Sequence, residues 1–187
     1  MKRSQFRNLT EVCAFLSEMN KNCARLNLRA TMFDSPHGLV NPVSRSTAYD
    51  IAKLSATCME DSRFLNVVNQ KYYTVARTPQ NNNKRTYRWE NTHRMLGQAG
   101  ITAIKTGVTN TAGPCLATAA NFDNSDSSIV IVLLACKDMD CRWLETYKLA
   151  KWATNRLVKI RKFGQENSGK DMTNTKLLER IKHLWHS

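Results

Sequence analysis

The sequence lacks the features that mark several large classes of protein. No part of its 187 residues is an apolar run long enough to span a bilayer, and no apolar segment follows the basic start, so we predict neither a membrane span nor a signal peptide. No glycine-rich phosphate-binding loop occurs. With 42% hydrophobic and 23% charged residues, the chain has the composition of a globular domain.

Acidic residues are scarce, since 15 stand against 28 basic ones and the net charge is +13. A solvated basic surface accounts for this excess, and so does an acidic partner such as nucleic acid, an anionic lipid surface or an anionic polymer. The basic residues are spread along the chain and form no basic-aromatic binding motif. These two observations argue against nucleic acid as the partner.

Metal-binding spacings are also missing. The 6 cysteines form no C-x-x-C pair, and no cysteine–histidine set has zinc-finger spacing. His183 and His186 lie close together, but no carboxylate or cysteine is next to either. We therefore predict no metal and no cofactor, and we expect free, mostly buried thiols in a reducing, intracellular location.

Hydrophobic spacing and capping residues predict three helices in the first part of the chain. The first covers 9–28 and is amphipathic. Ser46 or Thr47 caps the second helix, where Thr47 and Asp50 have capping-box spacing, and Asp61 caps a short third helix. The apolar face of the first helix comprises Val12, Phe15, Leu16, Met19 and Cys23.

Alternating residues predict strands in the middle of the chain. Two of them form a hairpin, and three more are joined by short links, so these three should pair antiparallel. The last is continuously apolar and is expected to be buried on both faces. The predicted strands cover 72–78, 84–90, 101–107, 114–122 and 127–136.

Two more helices are predicted after the strands. Asp138 or Asp140 opens a long helix over 141–161, and a polar link separates it from a last amphipathic helix over 173–186. The predicted order is helices first, then an antiparallel sheet packed with helices, and then a closing helix. This order indicates the α+β class. One face of the long helix comprises Trp143, Tyr147, Ala150 and Leu157.

The segment G-I-T-A-I-K-T-G-V-T-N-T-A-G, 100–113, ends a short strand in Lys105-Thr106-Gly107. The lysine supplies a fixed positive charge, and the threonine supplies a hydroxyl that donates or accepts. The glycine lets another backbone approach without meeting a Cβ. Together they suit a peptide that lies along the strand edge and presents a carboxylate to the lysine.

This segment and several others resemble the penicillin-binding D-alanyl-D-alanine carboxypeptidases, serine peptidases of the β-lactamase/transpeptidase-like fold. The matching segments are M-N-K-N-C-A-R-L-N-L-R-A-T-M-F-D-S-P-H-G-L (19–39), S-T-A-Y-D-I-A-K-L (46–54), N-T-H-R-M-L (91–96, where the family usually has N-x-N-x-L-L) and I-K-T-G-V-T-N-T-A-G-P-C-L (104–116). The resemblance implies that 1–162 is the C-terminal part of a transpeptidase-like domain. Residues 163–187 would then form a polar linker and an amphipathic helix.

The resemblance also implies roles for individual residues. Lys105 would bind the substrate carboxylate and tune proton transfer, Thr106 would hydrogen-bond the substrate, and the N–H of Val108, after Gly107, would be an oxyanion-hole donor. Arg142 resembles a family arginine near the carboxylate end of the site, although an exposed charge at a helix start explains it equally well. The implied ligand is a D-Ala-D-Ala-terminated peptide or a β-lactam.

Two further motifs of the family do not occur in the sequence. No serine is followed by lysine at the third position, and no Ser-x-Asn is present, so the nucleophile and its base are missing. In the family both motifs lie before the segment that matches 19–39. We therefore expect the chain to resemble the second half of the domain and to be inactive alone, and we expect strand 127–136 to have an unpaired edge.

Three hypotheses follow from this pattern. The chain is a serine-type D-Ala-D-Ala carboxypeptidase-like protein whose catalytic half lies upstream, or it is a non-catalytic module that binds a peptide or a partner at its strand edge. The third is a basic nucleic-acid-binding protein. Family members are usually exported, but the sequence assigns no location to a full-length form.

Overall fold

The computed structural model describes residues 2–39, 43–77, 85–98, 100–121 and 128–166. Each predicted element within these ranges is present, whereas the hairpin turn and the helix predicted at 173–186 lie outside them. The helices are α1 (Lys2–Arg25), α2 (Ala48–Met59), α3 (Ser62–Val68) and α4 (Cys141–Glu166). The strands are β1 (Tyr72–Arg77), β2 (Arg85–Glu90), β3 (Ile101–Thr109), β4 (Gly113–Ala120) and β5 (Ile129–Leu133).

Helix α1 is attached to the rest of the chain near its C-terminal end. There the amide of Asn20 donates to the Phe33 carbonyl at 2.7 Å and accepts from the Phe33 N–H at 2.9 Å. The predicted apolar face is buried only in this region, at Cys23. Nearer the N-terminal end of the helix, Val12 and Phe15 are 44% and 57% exposed, so the described residues cover little of this apolar face there.

Of the two reciprocal hydrogen bonds in the predicted capping box of α2, one is formed. Thr47 Oγ1 accepts from the Asp50 N–H at 3.2 Å, as an N-cap should. The buried Asp50 carboxylate does not return the bond to the cap. It accepts instead from the Ala30 N–H at 2.9 Å and the Thr31 hydroxyl at 2.7 Å, and it thereby ties α2 to the loop after α1.

The strands form two separate antiparallel sheets. β1 pairs with β2 in a hairpin, and a three-stranded sheet has the order β3-β4-β5. Helix α4 packs on one face of the three-stranded sheet, α2 packs on the other, and α3 contacts β3. The core lies between the sheet and α4 and comprises Met95, Ile101, Ala120, Ile131 and Ala150, with Ile129, Leu133 and Trp143 packed against it.

The prediction that the last strand is buried on both faces is wrong. In β5 only Ile131 is fully buried, because this strand is outermost among the described strands and its other face borders an open cleft. On α4 Tyr147 is 54% exposed, and the buried stripe is Arg142, Thr146 and Ala150, whose four-residue spacing keeps them on one side. No described strand pairs with the outer edge of β5, so a partner there stays a prediction.

The thiols are free, as predicted, but they are not mostly buried. Cys23 is buried, Cys13 is exposed and the other four cysteines are half-buried. Three of these four lie at or near the ends of strands and helices, where packing against the core is incomplete. The expectation of mostly buried thiols is therefore wrong.

Candidate functional site

A β-bulge in β3 decides where the predicted lysine lies. Before the bulge Ala103 pairs with Thr118, on the face covered by α4, and Ala103 is 3% exposed. The register shifts between Ala103 and Lys105, so Lys105 pairs with Ala117, whose side chain is on the opposite face. Without this extra residue strict alternation would direct the lysine toward α4. The bulge places it at the open face instead.

Lys105 lies at the border of a cleft of about 550 Å³ between the three-stranded sheet and α2. Four of the five predicted site residues line this cleft together: Lys105, Thr106, Gly107 and Val108. Most of the remaining wall is apolar. It includes Leu39, Ile51, Leu116, Ala117, Val132 and Leu134, with His37 at one side.

The Lys105 ammonium is exposed, and no carboxylate in the described part of the chain pairs with it. Its Nζ donates to the Thr106 carbonyl, and among the described residues it forms no ion pair. An ammonium next to apolar walls attracts an anion more strongly than one surrounded by water, because the local dielectric is lower. The site is therefore suited to a ligand with a carboxylate and small apolar groups.

Gly107 leaves space on the cleft side of β3. A Cβ built there would have no neighbour nearer than Lys105 Nζ, at 3.9 Å, so the interior packing does not require a glycine. The residue after it, Val108, is 51% exposed and pairs with Pro114 in β4. The absent side chain thus gives a ligand backbone access to the strand.

Arg142, in the first turn of α4, contacts β3 from the face of the sheet opposite the Lys105 cleft. Its Nη1 donates to the carbonyls of Gly107 and Cys115, each at 3.4 Å, and its guanidinium lies 4.7 Å from the ring centroid of Trp143. Arg142 is only 3% exposed, so the alternative of an exposed charge at a helix start is wrong. It does not line the Lys105 cleft but a second cleft of about 610 Å³, which His93 and Arg94 also border.

His93 is a buried titratable residue that the sequence analysis passed over. It is 3% exposed, its ring meets Trp143 edge-on at 5.3 Å, and no described residue gives either ring nitrogen a hydrogen-bond partner. Burial, and secondarily the charge of Arg142, lower the pKa of His93 below its ordinary value. Its place in N-T-H-R-M-L, where the resembling pattern has asparagine, was the one signal available in the sequence.

The described residues contain neither a cluster of metal-ligand side chains nor a helix that could span a membrane. None of their histidine, cysteine and carboxylate side chains gather in groups of three or more that could hold a metal ion. None of the described helices has the length and apolarity needed to cross a bilayer.

Comparison with known proteins gives consistent matches. The family model described as D-alanyl-D-alanine carboxypeptidase matches residues 11–137. A D-alanyl-D-alanine carboxypeptidase of a Streptomyces strain is 29% identical over 143 residues, which are 75% of this chain and 48% of that protein. Another, from Salmonella typhimurium, is 28% identical over 147 residues, which are 78% of this chain and 35% of that protein.

Solved structures agree with the sequence matches. The crystal structure of a Streptomyces DD-transpeptidase has a TM-score of 0.70 at 29% identity, covering 75% of this chain and 54% of that one. A penicillin-binding protein of Listeria monocytogenes, solved in its cefotaxime-bound form, has a TM-score of 0.58 at 27% identity. The match covers 73% of this chain and 53% of the Listeria protein's chain. The chain thus spans about half, or less, of the length of the relatives it matches.

Proposed function

The chain belongs to the D-alanyl-D-alanine carboxypeptidase family, and from that membership we propose that it binds the terminal carboxylate of a D-Ala-D-Ala peptide at the Lys105 cleft without hydrolysing it. The observation that carries the proposal is the exposed Lys105 ammonium, which has no carboxylate partner among the described residues and lies beside an apolar cleft. A peptide with a free carboxylate and methyl side chains matches both properties.

Each group at the cleft has a separate task in this proposal. The Lys105 ammonium pairs with the carboxylate, and the Thr106 hydroxyl hydrogen-bonds it. The peptide backbone lies along β3 at Gly107, where no Cβ obstructs it, and the N–H of Val108 donates to a peptide carbonyl. The alanine methyl groups contact the apolar wall, which includes Ile51 and Val132.

Arg142 has a positioning role in the proposal. Its two hydrogen bonds join the carbonyl of Gly107 in β3 to that of Cys115 in β4, so it holds the paired strands in register behind the cleft. This differs from a direct contact with substrate carboxylate, which remains only a prediction. A guanidinium that is 3% exposed is better placed to fix the strand than to meet a ligand from solvent.

We propose that this chain does not catalyse hydrolysis, because its 187 residues contain neither Ser-x-x-Lys nor Ser-x-Asn. A serine hydroxyl attacks a carbonyl efficiently only when an adjacent base accepts its proton. The lining of the Lys105 cleft, within the described residues, includes no serine at all. Binding can therefore persist without acyl transfer.

The binding proposal is tested by calorimetric titration with an N-acylated D-Ala-D-Ala peptide. Lys105→Gln should weaken binding by about tenfold or more, since a hydrogen-bonded charge pair is lost. Lys151→Gln, at an exposed lysine of α4, removes the same charge elsewhere and should leave affinity unchanged. Equal affinity of wild type and Lys105→Gln, or of the peptide and its L-Ala-L-Ala counterpart, would contradict the proposal.

The absence of catalysis has its own test. The purified chain is incubated with a β-lactam, and its intact mass is measured. We expect no adduct, because the family forms an acyl-enzyme on a serine beside a lysine base, and the sequence contains no Ser-x-x-Lys. A covalent adduct of one β-lactam per chain would refute the non-catalytic proposal even if the peptide binds as expected.

A further inference from the structure

The hairpin of β1 and β2 carries large aromatic residues that the core does not use. Tyr73, Tyr87 and Trp89 are 56%, 41% and 53% exposed. Every residue of β2 is exposed, and in β1 only Val75 is half-buried. Exposed aromatic side chains grouped on one element are typical of a recognition surface.

The pairing of the two strands gathers these side chains on one face. Tyr73 pairs with Trp89, and Val75 pairs with Tyr87, so all four point to the same side of the hairpin. The ring centroids of Tyr73 and Trp89 are 6.0 Å apart at an interplanar angle of 24°, and those of Tyr87 and Trp89 are 5.8 Å apart at 13°. The three nearly parallel rings form one aromatic surface.

Two arginines extend this surface. Arg77 pairs directly with Arg85 and continues the same side of the hairpin, which we call the aromatic face (Tyr73, Val75, Arg77, Arg85, Tyr87 and Trp89). Like charges placed directly opposite each other destabilise a strand pair. Within the described residues neither arginine has an acidic partner, so an anion beside them would relieve the repulsion.

We propose that the aromatic face binds single-stranded nucleic acid. Unpaired bases stack on Tyr73, Trp89 and Tyr87, and the phosphates that follow them pair with Arg77 and Arg85. The net charge of +13 attracts the polyanion over a longer range. A neutral sugar chain could use the rings, but it would leave both arginines without a counter-charge.

The proposal goes beyond the peptide-binding function and uses none of the residues of the Lys105 cleft. It also differs from the prediction made from the sequence, which disfavoured nucleic acid because no basic-aromatic motif occurs along the chain. The motif is divided between two strands, and only their register brings Tyr73 beside Trp89 and Arg77 beside Arg85. A linear search for neighbouring residues does not detect it.

The first test is fluorescence anisotropy of a labelled oligothymidylate of about twelve nucleotides, a length within the range that such platforms occupy. We expect binding at low salt that weakens as salt rises, and weaker binding of a duplex of the same length. Trp89→Val should weaken binding by about tenfold, whereas Trp89→Tyr, which keeps a ring, should largely preserve it. The strand propensity of valine keeps the hairpin formed, and circular dichroism checks this.

The second test separates the aromatic face from general charge. The double variant Arg77→Gln/Arg85→Gln should reduce the slope of log K against log salt by about 1.4. The matched control Arg63→Gln/Arg88→Gln removes the same charge at two exposed sites off the aromatic face, and Arg88 there lies over Tyr72 at 4.1 Å. Equal losses from both pairs, equal binding of the duplex, no effect of Trp89→Val, or no binding at low salt would each overturn the proposal.

Discussion

Lowering the pH should destabilise the protein through His93. In the folded chain this side chain is 3% exposed, and no described group accepts a hydrogen bond from either ring nitrogen. Protonation would place a charge in this site next to Arg142, so the pKa of His93 is lowered by burial first and by that neighbour second. In the unfolded chain the imidazole titrates near its ordinary pKa of about 6.5.

The sign of the effect follows from proton binding. Between the folded and unfolded pKa values the unfolded chain holds more protons at His93, so stability falls as the pH falls. The loss begins near the unfolded pKa of about 6.5, approaches about 1.4 kcal/mol per pH unit, and levels off below the lowered folded pKa. Above this window the imidazole is neutral in both the folded and the unfolded chain, so its titration no longer changes the free energy of unfolding.

Urea denaturation between about pH 5 and pH 8 measures this dependence. His93→Asn, which introduces the asparagine usual in the pattern N-x-N-x-L-L, should remove the contribution, so the wild-type minus variant difference isolates it from other groups. The imidazole resonances in an NMR titration give the folded pKa directly. Parallel pH profiles of wild type and variant, or a folded pKa at or above about 6.5, would refute the reasoning.

Two further predictions concern stability. Asp50 is 4% exposed, and its carboxylate accepts two hydrogen bonds. Asp50→Ala should therefore lower the free energy of unfolding, measured by urea denaturation, by about 2–3 kcal/mol. The control Glu60→Ala, at an exposed site, should lower it by less than about 0.5 kcal/mol. Similar costs for both would contradict the role of Asp50. Gly113→Ala forces a side chain into φ +65° with its Cβ 3.4 Å from Ala135 Cα, and it should lower the free energy of unfolding by about 1–2 kcal/mol. Gly107→Ala, with open space around its Cβ, is the matched variant, and a larger loss there than at Gly113 would count against this account.

Local features of the chain could be predicted from the sequence because they depend on neighbouring residues. Thr47 and Asp61 cap helices where their spacing from the following residues indicates, and the short links between the last three strands give antiparallel pairing. The segment containing Lys105 and Thr106 was also identified as a strand. In each case the cause lies within a few residues of the effect.

Features that need the register of a second element could not be predicted. The bulge that turns Lys105 away from α4 is defined by its pairing with β4, and nothing in the order I-T-A-I-K-T-G marks it. The burial of Arg142 depends on carbonyls of β3 and β4 that are distant in the chain. Hydrophobicity placed Tyr147 on one face of α4 with Ala150, but the residues of α4 that are buried are Arg142, Thr146 and Ala150.

The topology also bears on how the chain reaches this fold. Each pairing between the described strands joins neighbours in the sequence, so the contact order of both sheets is low and their loops close quickly. Helix α2, in contrast, docks on β5, which is synthesised much later. The residues of α2 therefore emerge from the ribosome before the strand on which the helix docks. During that interval the apolar surface of α2 is exposed, and transiently exposed apolar surface makes a nascent chain prone to aggregation.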